Sequence, residues 1–209
     1  MIGELLPREV RAVEASVDPP EAALFPAERA VITRAVEKRR REFTTVRHCA
    51  RAALAGLGVA PAPILPGERG APTWPDGVVG SMTHCAGYRA AAVARAREIA
   101  AVGIDAEPNE PLPDGVLDAI ARDDERPALD AAAPAAVCWD RLLFSAKESV
   151  YKAWFPLTRT WLDFHDATVR LEADGTFRAY LHVDGPVDGF AGRWRVAGGL
   201  MLTAIATPR

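Results

Sequence analysis

The chain has 209 residues, 49% hydrophobic and 25% charged, a balance that suits a folded globular protein and excludes a disordered or fibrous one. Lys plus Arg total 25 against 28 Asp plus Glu, so the net charge of −3 is too near neutral for a dedicated nucleic-acid coat. No run approaches the roughly 18 uninterrupted apolar residues of a membrane span. Met1 to Glu14 carries Glu4, Arg8, Glu9 and Arg11 among its apolar residues, which is not the pattern of a signal peptide. Three cysteines, Cys49, Cys85 and Cys138, are odd in number and lack C-x-x-C spacing. They argue against a disulfide framework or a cysteine zinc site, and for a reducing cytoplasm.

In chain order, residues 27–58 read as helix, with apolar residues at mixed three- and four-residue intervals and no Pro or Gly until Gly56. Eight of the basic residues fall between Arg29 and Arg51, against Glu37 and Glu42 only. Residues 61–77 are dense in Pro and Gly, an irregular segment of the length that tends to be functional. Val78 to Met82 reads as a strand. Tyr88 to Arg95 and Ala100 to Ala106 are expected to pair as a hairpin, although Ala-rich 89–97 also fits a helix. Ten acidic residues lie between Glu98 and Asp130, and 108–134 reads as an acidic, Pro-interrupted connection with one short helix around Val116–Arg122. Ser145 to Phe155 is a helix. Two hairpins follow, 167–173 with 176–183 about Asp174-Gly175, and 193–197 with 200–206 about Gly198-Gly199. The sum is an α+β fold with no solenoid repeat.

Three constellations carry chemistry. On a strand through Val102-Gly103-Ile104-Asp105-Ala106-Glu107, alternation sends Val102, Ile104 and Ala106 to the core and Asp105 and Glu107 to the other face. Two carboxylates so placed can share a hard cation such as Mg²⁺, and they equally read as two solvated acids at the end of an edge strand. In Phe144-Ser145-Ala146-Lys147-Glu148-Ser149-Val150-Tyr151-Lys152, helical spacing puts Lys147, Glu148, Tyr151 and Lys152 on one arc, opposite Ala146, Val150, Ala153 and Trp154. A capping box Ser145-x-x-Glu148 and an i, i+4 pair Glu148–Lys152 would account for the same polar residues locally. Yet only three of the basic residues are lysines, Lys38, Lys147 and Lys152, and two of them flank this glutamate in a chain that otherwise uses Arg. The third is Gly80-Ser81-Met82-Thr83-His84-Cys85, which delivers His84 after the Pro/Gly loop. The arginines Arg39, Arg40, Arg41 and Arg47 complete the set as either a phosphate grip or a solvated helix face. A cation site, phosphate-directed cations and a glutamate beside lysines together suit transfer of a phosphate-linked group.

Four stretches in this order, Arg40 to Arg51, Trp74 to Cys85, Val102 to Glu107 and Phe144 to Lys152, resemble the 4′-phosphopantetheinyl transferases of the surfactin and enterobactin synthetase type, in particular their actinobacterial branch. The resemblance implies the 4′-phosphopantetheinyl transferase fold, two pseudo-symmetric lobes around a coenzyme A cleft, active as a monomer. Residues 1–104 would form the lobe that grips phosphate and adenine, and 105–209 the lobe with the metal and catalytic helix. The implied reaction is that of a holo-[acyl-carrier-protein] synthase: the phosphopantetheine arm of coenzyme A moves to a serine of an acyl or peptidyl carrier protein, with Mg²⁺, and 3′,5′-ADP leaves. Carrier proteins of fatty-acid, polyketide and nonribosomal peptide synthesis all present such a serine. By motif, Asp105, Glu107 and Glu148 would hold Mg²⁺, and Glu148 would also be the base for the serine, directly or through a metal-bound water. Lys147 would meet the pyrophosphate and Lys152 the leaving 3′,5′-ADP. Arg39, Arg47 and His84 would grip phosphates, and Ser81 would line the nucleotide pocket. Two departures stand out: Val46 where many relatives place Gly, and Pro66 where close relatives carry Lys, with Arg69 the candidate substitute. The rival expectations are a Mg²⁺-dependent nucleotide phosphohydrolase and a nucleic-acid-binding regulator built on the 29–51 helix.

Overall fold

Backbone pairing sorts the strands into two antiparallel sheets, each backed by one long helix. The computed structural model describes residues 1–130 and 136–209. The first half contains β1 (Val10–Ala15), α1 (Pro26–Val31), α2 (Glu37–Ala55), β2 (Val78–Cys85), β3 (Tyr88–Arg95) and β4 (Ile99–Pro108). The second contains α3 (Val116–Ile120), α4 (Arg126–Asp130), α5 (Trp139–Thr158), β5 (Ala167–Leu171), β6 (Thr176–Leu181), β7 (Gly189–Ala197) and β8 (Leu200–Pro208). The three-stranded sheet has the order β1-β3-β2, and the five-stranded sheet the order β4-β8-β7-β6-β5. Among the described residues, no helix is long and apolar enough to cross a membrane.

β3 shows why its sequence is ambiguous. As the central strand it is buried on both faces, and so reads as a continuous apolar run. Ala90, Ala92 and Ala94 face a core with Ile2, Leu5, Val102 and Ile104, while Ala91 and Val93 face Cys49, Ala50, Ala53 and Leu54 of α2. β3 makes its hairpin with β2, Cys85 opposite Tyr88 across Ala86-Gly87, where Gly87 adopts φ 72°. The hairpin expected between 88–95 and 100–106 does not form. β4 pairs instead with β8, Asp105 opposite Thr203.

That choice makes β4 an edge strand whose outward N–H groups need acceptors. Side chains of β2 supply them: Ile104 N–H donates to Ser81 Oγ and Ala106 N–H to Thr83 Oγ1, each at 3.1 Å. Two hydroxyls thus stitch the sheets together. The expected division at 104/105 falls inside β4, which belongs whole to the larger sheet.

The single helix expected over 27–58 is two, separated at 32–36. Val31-Ile32-Thr33 is a β-branched run, unfavourable to helix, and Arg40 reaches back to the freed carbonyls, donating to Ala35 O and Thr33 O at 2.9 and 2.6 Å. Glu28, with no exposure, ties the pieces together by accepting from Arg51, Phe25 N–H and Ile64 N–H, each at 2.9 Å.

In the second half α5 starts at Trp139, so Ser145 is interior and caps nothing. Leu142, Leu143, Ala146, Val150 and Trp154 pack on Val169, Phe177, Phe190 and Trp194 of the sheet. Gly103 permits the closest approach: a Cβ there would stand 2.0 Å from Ser149 O. The acidic connection holds α3 where a short helix was expected and also α4, and its positions 131–134 lie outside the described residues. Both turn-flanked hairpins form, β5–β6 and β7–β8.

Candidate active site

Between the two sheets opens a cleft of about 760 Å³. One wall carries Arg39 and Arg47 of α2, Ser81 and His84 of β2, and Arg69 of the Pro/Gly segment; the other carries Glu148, Tyr151, Lys152 and Phe155 of α5. Of the nine residues singled out by sequence, Arg39, Arg47, Ser81, His84, Glu148 and Lys152 therefore line one space.

Asp105 and Glu107 stand beside it at the end of β4. Asp105 is only 5% exposed, so it is not a solvated acid. Its Oδ1 accepts from Lys152 Nζ at 2.6 Å and Thr83 Oγ1 at 3.1 Å, and its Oδ2 from Ser145 Oγ at 2.9 Å. Glu107 pairs with Arg141 at 2.9 Å. Burial, then the Asp105 charge, pushes the Glu107 carboxyl above its ordinary value in spite of Arg141. Glu148 makes no hydrogen bond or ion pair among the described residues. Burial raises its pKa, Lys152 opposes this, and Asp105 and Glu107 add to it. The expected i, i+4 pair of Glu148 with Lys152 is not made, because Lys152 turns to Asp105.

Lys147 departs furthest from expectation. One helical step from Glu148 rotates it to the back of α5, where its side chain is 2% exposed. Its ammonium donates to Phe164 O, Ile120 O and Ala167 O at 2.6, 2.9 and 3.1 Å and pairs with Glu125 at 2.9 Å. Those four acceptors use every donor it has, so Lys147 is a fastener between α5 and the acidic connection rather than a lining residue of the cleft. Arg47 is also largely committed, donating to Ile64 O at 2.8 Å and lying 3.8 Å from Glu28. Burial draws its pKa down to about 10, still charged at neutral pH.

Arg39 and His84 form the exposed part of the grip, Nη1 to Nε2 at 2.5 Å. A guanidinium only donates, so Nε2 is the acceptor and the ring proton sits on Nδ1, 3.6 Å from Glu42. Burial, opposed by Glu42 and aided by Arg39, lowers the His84 pKa, which favours that neutral ring. Sequence reasoning did not single out Thr83, Arg141 or Arg159. Arg159 closes α5 at φ 58° and lines the cleft with Arg69, at φ 53°, whose guanidinium lies 5.2 Å from the Trp161 ring. Positive φ is uncommon outside glycine; at Arg159 it is the left-handed cap that ends α5 and at Arg69 it belongs to a turn of the Pro/Gly segment, and no local sequence signal announces either.

A model of the 4′-phosphopantetheinyl transferase N-terminal domain matches residues 27–94, and one of the 4′-phosphopantetheinyl transferase superfamily matches 101–196. The chain is 57% identical to the 4′-phosphopantetheinyl transferase Svp of Streptomyces mobaraensis, over 99% of this chain and 89% of that protein. The chain belongs to the 4′-phosphopantetheinyl transferase superfamily. It is also 54% identical to the transferase PptT of Mycobacterium tuberculosis, over 90% of this chain and 88% of the other. The transferase Npt of Nocardia iowensis is 49% identical over 99% of both.

The residues of this superfamily member can be tested against a dication. Among the described residues, no three His, Cys, Asp or Glu side chains already stand together as a ligand set. The donor chemistry nonetheless fits: Asp105, Glu107 and Glu148 are hard oxygen donors, close enough to raise the pKa of Glu148, and no thiolate competes. Burial, with Glu107 and Asp105, pushes the neighbouring Cys85 thiol up to about 12, which keeps it protonated.

Proposed function

We propose that this chain transfers the 4′-phosphopantetheine arm of coenzyme A to a serine hydroxyl of acyl or peptidyl carrier proteins and releases 3′,5′-ADP, with Mg²⁺ held by Asp105, Glu107 and Glu148. The observation that carries this is one cleft with arginines and His84 on one wall and Glu148 and Lys152 on the other, beside the two carboxylates of β4. When bound, the dication supplies charge neutralisation on the pyrophosphate.

The chain's own residues do the rest. Arg39 and His84 orient the phosphates from the first lobe, with Arg47 behind them and Arg69 at the rim in place of the lysine replaced by Pro66. Ser81 contributes to the nucleotide wall while its oxygen holds Ile104 N–H. Glu148, which in the metal-free cleft has no hydrogen-bond partner among the described residues and a pKa raised by burial, takes the proton of the incoming serine. Lys152 offsets negative charge as the leaving group departs. Both walls belong to one chain, which supports a monomer as the working unit, with the first lobe gripping and the second carrying the chemistry. Arg40, Arg47 and Arg51 hold internal partners, which favours a cleft wall over a nucleic-acid face for this basic arm.

Intact-protein mass spectrometry on a panel of apo carrier domains tests the proposal. With coenzyme A and Mg²⁺, at least one carrier gains the mass of one phosphopantetheinyl arm. Unmodified carriers throughout, accompanied by free phosphate, would indicate the phosphohydrolase.

A further inference from the structure

Asp105 is held from three sides. Thr83 donates to Oδ1 and cannot turn away, because its own oxygen already accepts Ala106 N–H at 3.1 Å. Ser145 donates to Oδ2 from a position without exposure, and Thr203 fixes it from the neighbouring strand, donating to Ser145 O at 3.0 Å. Ser149 lies 2.7 Å from the same Thr203 hydroxyl, so these buried hydroxyls form one continuous support behind the carboxylate. The third side is Lys152, which donates to Oδ1 at 2.6 Å and to Ile104 O at 3.2 Å.

A carboxylate clamped in this way can neither rotate nor retreat. A divalent cation that reaches Asp105, whose Oδ2 accepts only from Ser145 among the described residues, therefore comes close to the Lys152 ammonium on Oδ1, and such like charges repel strongly in a half-buried cleft. One of the two must move. Among the described residues, the cations that act on the Glu107 and Glu148 carboxylates are Lys152 and Arg141, and Arg141 is anchored by Glu110 O and Pro111 O at 3.1 and 2.9 Å. Lys152 is the freer of the two, with 26% of its side chain exposed and a flexible four-carbon stem that reaches the cleft.

We propose that Lys152 is the resident counter-ion of Asp105 and that divalent-cation binding is coupled to its release into the cleft. Once off Oδ1, the ammonium faces the space where the substrate phosphates lie, so the lysine is armed only when the cation is in place. This rests on the transferase reading for its phosphates. It also accounts for lysine at 152 in a chain with only three lysines: a forked, bidentate arginine would hold Asp105 more stubbornly than a single rotating ammonium.

Selective ¹³Cε labelling of lysine gives a spectrum with three side-chain signals, and Lys147, buried against Glu125, serves as the internal reference. Titration with Mg²⁺ alone is expected to move the Lys152 signal saturably and leave Lys147 in place; coenzyme A added to the Mg²⁺-loaded protein moves Lys152 again. In parallel, Lys152→Met is expected to bind Mg²⁺ about tenfold more tightly by calorimetry, since a competing charge is gone, whereas Lys152→Arg shows no gain. The proposal is overturned if Lys152 stays fixed at the highest Mg²⁺, if it moves only together with Lys147, or if Lys152→Met binds no more tightly than the native chain. The spectrum uses no carrier protein, so failure of the transfer chemistry, read by carrier mass, is a separate result.

Discussion

Lys147 and Lys152 leave the same helix and end in opposite surroundings. Lys147 lies behind α5, saturated by three carbonyls and Glu125, and Lys152 lies in front, shared between Asp105 and the cleft. Helical spacing alone groups them on one arc. Tertiary partners separate them, because the acidic connection offers a buried carboxylate on one side and β4 offers another on the other. One residue type on one helix thus serves first as a fastener and then as a cleft cation, and the partner carboxylate decides which.

The comparison can be broken from either side. The largest expected effect is Lys147→Met, which strands buried Glu125 and should cost about 3–5 kcal/mol in denaturant unfolding, while transfer per folded molecule stays within a few-fold of native. Lys152→Met should do the reverse: transfer falls about a hundredfold, with a smaller loss of stability than Lys147→Met, because Lys152 is partly exposed and Asp105 keeps Thr83 and Ser145. Thr83→Val removes a donor to Asp105 and an acceptor for Ala106 N–H and should cost about 1–3 kcal/mol of stability. Arg39→Ala, at the exposed end of the grip, should mainly raise KM for coenzyme A, by about tenfold.

The smallest effect is on pH dependence. A base must be ionised: burial raises the Glu148 pKa in the metal-free cleft and a dication on the same carboxylate lowers it, so activity is lost as pH falls and Glu148 takes up a proton. Lys152 opposes the rise, so the acid limb of the pH–rate profile should move to higher pH in Lys152→Met. An unmoved limb would separate Glu148 from the titrating step.

Local signals carried the parts of the fold that depend on local chemistry. Asp174-Gly175 and Gly198-Gly199 mark their hairpins because positive φ is needed there, and the alternation at 102–107 sorts core from carboxylates correctly. What was not legible depends on distant partners. β4 reads like a hairpin partner for β3 until β8, nearly a hundred residues on, supplies the ladder, and the break at 32–36 relies on Arg40 folding back. Of the site, the residues facing the cleft were recognisable by type and order. The support beneath Asp105 was not, since Thr83, Ser145 and Thr203 look like ordinary small polar residues until β2, α5 and β8 meet.

The most direct measurement is the mass of an apo carrier domain incubated with coenzyme A, Mg²⁺ and Glu148→Gln, a substitution that keeps the side chain's size and removes its basicity. Calorimetry should find coenzyme A binding within a few-fold of native while the carrier stays at its apo mass over the time in which the native chain loads it fully, a loss of about 10²–10⁴ in rate. A carrier that gains the phosphopantetheinyl mass at near-native rate with Glu148→Gln would contradict the assignment of Glu148 as the base of this cleft.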